Sequence, residues 1–131
     1  GLFIREPTGI AHHTYRFARK AEQEGMVVID DPGSILRCTN KIYLAELMQA
    51  NGVPVPPTAF VFDDSEAQAD TLIAELGLPM VLKIPDGSFS RGISKVKDKA
   101  ELRAALSGHL KQSSVVLAQA FMYTDYDCPL G

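Results

Sequence analysis

The chain of 131 residues has no tryptophan, only two cysteines and little net charge, and each scarcity narrows what it can be. Cys38 and Cys128 stand far apart with no C-x-x-C pair, which argues against a disulfide framework or a zinc site and for reduced thiols in a cytoplasmic protein. A formal net charge of -3 gives no general pull toward nucleic acid or an anionic membrane, so the basic residues are local tools. No apolar run approaches the ~20 residues that span a bilayer, so no membrane partner is expected. Internal repeats and low-complexity segments are lacking too. What is present, 46% hydrophobic and 22% charged residues, is an ordinary globular composition that can bury one good core or two lobes of modest size.

Residues 1–6 read as a buried strand and Pro7-Thr8-Gly9 as a turn. A helix is expected over residues 12–24, with Thr14, Phe17, Ala18 and Ala21 on its buried face and Gly25 as its stop. Residues 26–29 read as the next buried strand, so strand, helix and strand form a parallel crossover unit. His12 and His13, adjacent on one helix, would diverge by about 100° and would not clamp a metal together. Ser34 to Cys38 reads as a short helical turn, and Thr39-Asn40 as the cap of a helix over residues 41–50. Lys41 leads that helix's apolar stripe and sits in its first turn, where the dipole disfavours a cation unless an anion is close. A lysine laid over the helix shoulder with its head in water is the plainer account.

Val53-Pro54-Val55-Pro56-Pro57 is an extended, stiff connector, and it divides the chain into residues 1–57 and 58–131. Beyond it, residues 58–62 read as a strand, and Ser65-x-x-Gln68 as a capping box for a helix with Ala69, Leu72, Ile73 and Leu76 as its buried stripe. Residues 78–84 and 93–96 read as an antiparallel strand pair. Asp98-x-x-Glu101 starts a second helix with Leu102, Ala105, Leu106, His109 and Leu110 on one face, and residues 115–122 make the last strand. His109 reads as a core-edge side chain, with no partner at metal spacing. The order is β-α-β-β-α-β, an α/β chain in all. Both ends read as cut, the expectation being a fragment of a longer protein.

Lys83 lies inside an apolar strand, where lysine is rarely buried without a partner. A loop with Gly87, Ser88, Ser90, Arg91 and Gly92 follows it. Glycine lets backbone N–H groups approach closely, serines donate further hydrogen bonds and lysine supplies a point charge, which together suit a phosphate group. The loop has neither the ending of a Walker A motif nor the glycine spacing of dinucleotide folds. A polar hairpin with Lys83 reaching out to water is the competing reading. Tyr123 to Asp127 brings two carboxylates to the end of the last strand, which by itself reads more readily as a plain acidic turn.

Four parts recur in a recognisable order: Asn40-Lys41 before Gly-Val-Pro-Val-Pro-Pro-Thr, then Pro79-Met80-Val81-Leu82-Lys83, then Gly87-Ser88-Phe89-Ser90-Arg91-Gly92-Ile93, then Val116-Leu117-Ala118-Gln119-Ala120-Phe121-Met122. Together they resemble the ATP-grasp superfamily of carboxylate ligases, and within it the RimK-type glutamate ligases. The resemblance implies that residues 1–57 are the end of a pre-ATP lobe with its linker, and residues 58–131 the first ATP-grasp subdomain. It implies that Lys41 and Lys83 contact ATP phosphates, and that Gly87, Ser88, Ser90 and Gly92 belong to a flap over them. Gln119 to Met122 would be the hinge along the adenine, with Ala120 and Met122 offering backbone groups. Asp127, or Asp125 in second place, would hold the ribose hydroxyls.

The chain departs from that pattern in three places. Cys128 and Pro129 stand where RimK-type members continue with a residue and an arginine, and Ala120 stands where an acid often follows the hinge glutamine. The half of the fold that carries the magnesium ligands and the catalytic arginine in that family is not in this sequence. No catalytic or metal-ligating residue is therefore assigned here, and Mg2+ is expected to be held mainly by residues outside the chain. The expected function is the ATP-binding part of a ligase that joins a carboxylate to an amine through an acyl-phosphate, with glutamate or another amino acid added to a peptide or protein. The alternatives are a non-catalytic nucleotide sensor or scaffold module, and an interaction domain with no nucleotide. Oligomeric state is left open.

Overall fold

In a computed structural model the described residues are 1–85 and 92–123, arranged as two compact units, Gly1–Val53 and Pro54–Gly131. In the first unit, strand β1 (Leu2–Phe3) pairs in parallel with β2 (Val28–Ile29), and helix α1 (His13–Gln23) makes the crossover. Two further helices follow, α2 (Pro32–Thr39) and α3 (Lys41–Ala50). α2 is a full helix rather than the short turn expected. Asp31 caps it by accepting the Ser34 N–H at 2.9 Å and the Ser34 hydroxyl, and Pro32 supplies the preset first turn. These hydrogen bonds also hold the Asp31 carboxyl below its ordinary value.

The core of this unit is small: Ala18, Ala21, Val28 and Ile35, with Leu2, Ile4 and Tyr15 packed against it. Phe17 is not part of the buried face expected of it, being 63% exposed. Thr14, Ala18 and Ala21 make the stripe by themselves, since two-residue strands ask only for small side chains above them. Phe17 instead turns its edge to the His13 ring. His12 also differs from expectation. It is the extended N-cap residue of α1, outside the helix, so the His12 and His13 rings do not diverge but lie 4.1 Å apart between centroids.

The second unit is a four-stranded sheet in the order β3-β6-β4-β5, every neighbour antiparallel, built from β3 (Thr58–Val61), β4 (Met80–Lys83), β5 (Ile93–Val96) and β6 (Val116–Ala120). Helices α4 (Glu66–Leu76) and α5 (Lys99–Leu110) complete the β-α-β-β-α-β order. The helix boundaries follow from local chemistry. The Ser65 hydroxyl oxygen accepts from Gln68 N–H at 3.2 Å and the Asp98 carboxylate from Glu101 N–H at 2.8 Å. The reciprocal half of the expected Ser65 capping box is supplied by Asp63, which accepts the Ser65 N–H at 2.9 Å.

Strand alternation sorts the sheet's two faces. Val61, Met80, Leu82, Val96, Val116 and Ala118 pack with Ala69 and Leu72 of α4 and Leu102 and Leu106 of α5 into the main core. Burying each leucine fully contributes ~1.5–3 kcal/mol. His109 enters this layer at 8% exposure, with its Nε2 2.9 Å from Ser94 Oγ and its Nδ1 unpartnered among the described residues. Burial pushes its pKa below the ordinary 6.5. At the solvent side of the two helices, Lys99 bridges Glu66 and Asp70 at 3.0 and 2.6 Å.

Candidate functional site

The residues of the opposite parity in the second unit's sheet project from the face that does not carry the helix-packed core. Register puts Thr58 directly across from Gln119, and Gln119 across from Val81. Lys83 stands one pair further along β4, opposite Leu117. Its stem reaches diagonally back, and its Nζ donates to Gln119 Oε1 at 2.6 Å. Gln119 Nε2 in turn donates to Thr58 Oγ1 at 3.0 Å, and the Thr58 hydroxyl donates to the Pro56 carbonyl at 2.8 Å. A chain of three hydrogen bonds thus runs from the connector across three strands to one half-buried ammonium group.

The direction of this chain decides its meaning. Thr58 has one hydroxyl hydrogen and gives it to Pro56, so toward Gln119 it can only accept. That fixes the amide with its nitrogen toward Thr58 and its oxygen toward Lys83. The lysine meets a neutral oxygen, and among the described residues no carboxylate forms an ion pair with it. Among the described residues its charge is oriented by the amide but not neutralised.

A second cation belongs to the same face. Lys95 on β5 pairs with Val81, and its Nζ lies 3.4 Å from the centre of the Phe121 ring, with Tyr123 edge-on to Phe121. The side chains of alternate residues here are Thr58, Phe60, Val81, Lys83, Ile93, Lys95, Leu117 and Gln119, two cationic and none acidic. Such a face favours an anion. Neither Thr58 nor Lys95 stands out in the sequence. Only the strand register, which puts both on the Lys83 side, could have found them.

The other expected site residues fall as follows. Gly92 closes the β4–β5 hairpin with φ of +71°, its carbonyl accepting from Ile84 N–H at 3.0 Å. Ala120 ends β6 and donates its N–H to the Pro57 carbonyl at 2.9 Å, and Met122 is 58% exposed just beyond. Lys41 opens α3 in the first unit, where Asn40 Oδ1 caps the helix by accepting from Ile42 and Tyr43 N–H. Gly87, Ser88, Ser90, Arg91, Asp125 and Asp127 lie outside the described residues. Among the described residues of the second unit, no group of three or more histidine, cysteine or carboxylate donors gathers at metal distance.

No protein-family profile matches the chain. Curated proteins do. Biotin carboxylase 2 of Bacillus subtilis is 30% identical over 119 residues, covering 89% of this chain and 27% of its own length. The alpha-aminoadipate–LysW ligase LysX of Saccharolobus solfataricus is 35% identical over 74 residues, 56% of this chain and 26% of its own. The chain thus spans about a quarter of the length of these relatives. Among solved structures, a RimK domain protein ATP-grasp from Sphaerobacter thermophilus superposes with a TM-score of 0.68 at 21% identity, covering 87% of this chain and 43% of that one. The biotin carboxylase domain of Hydrogenobacter thermophilus 2-oxoglutarate carboxylase, solved with MgADP, ADP and bicarbonate, gives 0.59 at 25% identity over 82% of this chain and 25% of that one.

Proposed function

We propose, from the premise that this chain belongs to the ATP-grasp superfamily, that it is the ATP-binding part of an ATP-dependent ligase and that Lys83 meets the nucleotide's phosphates. The reaction of the whole protein is the joining of a carboxylate to an amine through an acyl-phosphate, with an amino acid, peptide or protein tail as the partner substrates. The observation that carries this reading is the state of Lys83, a half-buried cation on a rigid strand, aimed by a neutral amide and free of any carboxylate among the described residues. A polyphosphate supplies the missing negative charge, and an ammonium positioned beforehand loses little on binding it.

Within the same reading, residues 1–57 are the end of a pre-ATP lobe and residues 58–131 the first ATP-grasp subdomain. Lys41 approaches the phosphates as a second cation, and Gly87, Ser88, Ser90 and Gly92 cover them. Gln119, besides aiming Lys83, begins the hinge that runs along the adenine. Ala120 has committed its N–H to Pro57, so the group it offers there is its carbonyl, while Met122 offers backbone at an exposed position. Asp127 receives the ribose hydroxyls. Magnesium, which accompanies ADP in the Hydrogenobacter structure, would be held mainly by residues outside this chain.

Calorimetric titration of ATP-magnesium into the intact protein tests the reading. Lys83→Met removes a charge-assisted contact worth about 1.5–3 kcal/mol, so affinity is expected to fall roughly ten- to a hundredfold while the urea midpoint barely moves. Unaltered ATP affinity in that variant overturns it.

A further inference from the structure

Between β1 and α1 the first unit gathers a carboxylate and two imidazoles. Glu6 ends the segment after β1, His12 caps α1 and His13 is its first residue. One potential ligand atom of each lies within 4.8 Å of the other two. We propose that Glu6, His12 and His13 form a binding site for a borderline divalent transition metal, Zn2+ or its analogues Co2+ and Ni2+, with water completing the coordination.

The distances suit such an ion. Ligands held at ~2.0–2.1 Å around a tetrahedral centre are roughly 3.4 Å apart, which these three atoms reach by small side-chain rotations. The His13 Nε2 to Glu6 Oε2 contact, 2.7 Å, has only to open slightly. Both side chains are more than half exposed, so little of the protein has to move with them. His12 is held more firmly. Its backbone N–H donates to the Gly9 carbonyl at 2.9 Å, its own carbonyl accepts from Tyr15 N–H at 3.2 Å, and its ring lies against that of His13 at a 36° tilt.

A buried neighbour favours one tautomer of His12. Thr14, 5% exposed, spends its hydroxyl hydrogen on the Pro7 carbonyl at 2.9 Å. Its oxygen is left to accept, and His12 Nδ1, 3.0 Å away, is the donor it meets in the tautomer that carries the proton on Nδ1. The Thr14 backbone N–H also approaches Nδ1, but at 3.4 Å it is the weaker claim on that nitrogen. A proton on Nδ1 leaves the lone pair on Nε2. An imidazole whose second nitrogen is fixed by a hydrogen bond is the usual arrangement of a metal-bound histidine.

The donor set chooses the ion. Two imidazoles and one carboxylate suit zinc and its neighbours, whereas magnesium and calcium take oxygen ligands throughout. The positive end of α1 opposes any cation, and the Glu6 charge offsets it. The site belongs to the first unit and shares no residue with the lysine face of the second.

The test uses the full chain with any affinity tag removed and with Cys38→Ser and Cys128→Ser in the background, so that thiolates cannot contribute. Zinc is titrated by calorimetry, and cobalt by its visible absorption. One equivalent of Zn2+ is expected to bind with micromolar affinity, and Glu6→Gln and His13→Gln each to weaken it about tenfold or more at unchanged thermal midpoint without metal. Thr14→Ser, which keeps the hydroxyl, is expected to retain the affinity, and Thr14→Val to lose part of it. Binding weaker than millimolar in the parent chain, or equal affinity in the parent, Glu6→Gln and His13→Gln proteins, overturns the proposal.

Discussion

Lys83 on β4 and Gln119 on β6 meet diagonally across the strand pair, Nζ to Oε1 at 2.6 Å, although Val81 and not Lys83 is Gln119's register partner. Replacing the acceptor with a side chain of similar size exposes what the contact is worth. Gln119→Leu leaves the ammonium half-buried without its partner, and the unfolding free energy in urea is expected to drop by about 1–2 kcal/mol. ATP affinity should fall in the same variant, by less than in Lys83→Met, because the charge remains while its aim is lost.

Thr58 acts on Lys83 only through Gln119. Thr58→Val preserves shape and removes the hydroxyl that sets the amide's orientation. Combined with Gln119→Leu in a double-mutant cycle, it should show a coupling of about 0.5–1.5 kcal/mol in chemical denaturation. Additive effects of the two changes would mean that the hydrogen-bond chain does not operate as a unit.

Gly92 holds a backbone angle of +71°, and a Cβ built there would meet Ile84 Cδ1 at 2.8 Å. Gly92→Ala combines left-handed strain with this clash and is expected to cost about 1–2 kcal/mol by thermal or chemical unfolding. Adding Ile84→Val relieves crowding but not the backbone angle, so it should recover only part of the loss.

His109 makes stability depend on pH in one direction. Burial lowers its pKa in the folded state from the ordinary 6.5, so the unfolded chain binds the proton more readily. Its neutral form contributes fully above pH 6.5, and stability declines as pH falls below that value toward the lowered one. Urea midpoints measured from pH 7.5 downward should show this decline, and His109→Gln should flatten it.

Much of the second unit is legible from residue order because its signals are local. Ser65 and Asp98 announce helix starts, and Leu72, Leu102 and Leu106 recur at helical spacing, as the structure shows them buried. Lys83 stands out as a cation within an apolar run, and Gln119 as the polar residue of another. Their contact is not legible, because it depends on which residues β4 and β6 set opposite one another. Thr58 and Lys95 are hidden for the same reason: each is an ordinary strand residue until register gives it a neighbour. In the first unit, moving the helix start by one residue, from His12 to His13, is enough to turn two diverging rings into neighbouring ones. Phe17 misleads because hydrophobic periodicity cannot tell that two-residue strands leave too little surface to cover a phenylalanine.

Met80 and Leu82 answer to α4 and α5, while Val81 and Lys83, one step along the same strand, answer to the other side of the sheet. Inheritance can therefore act on the two sets at different tempos. Changes at 80 and 82 are policed by close packing, whereas changes at 81, 83 and 119 are judged by whatever molecule the far side greets. A lineage could exchange one guest for another by editing every second letter of these strands and leave the scaffold's architecture untouched.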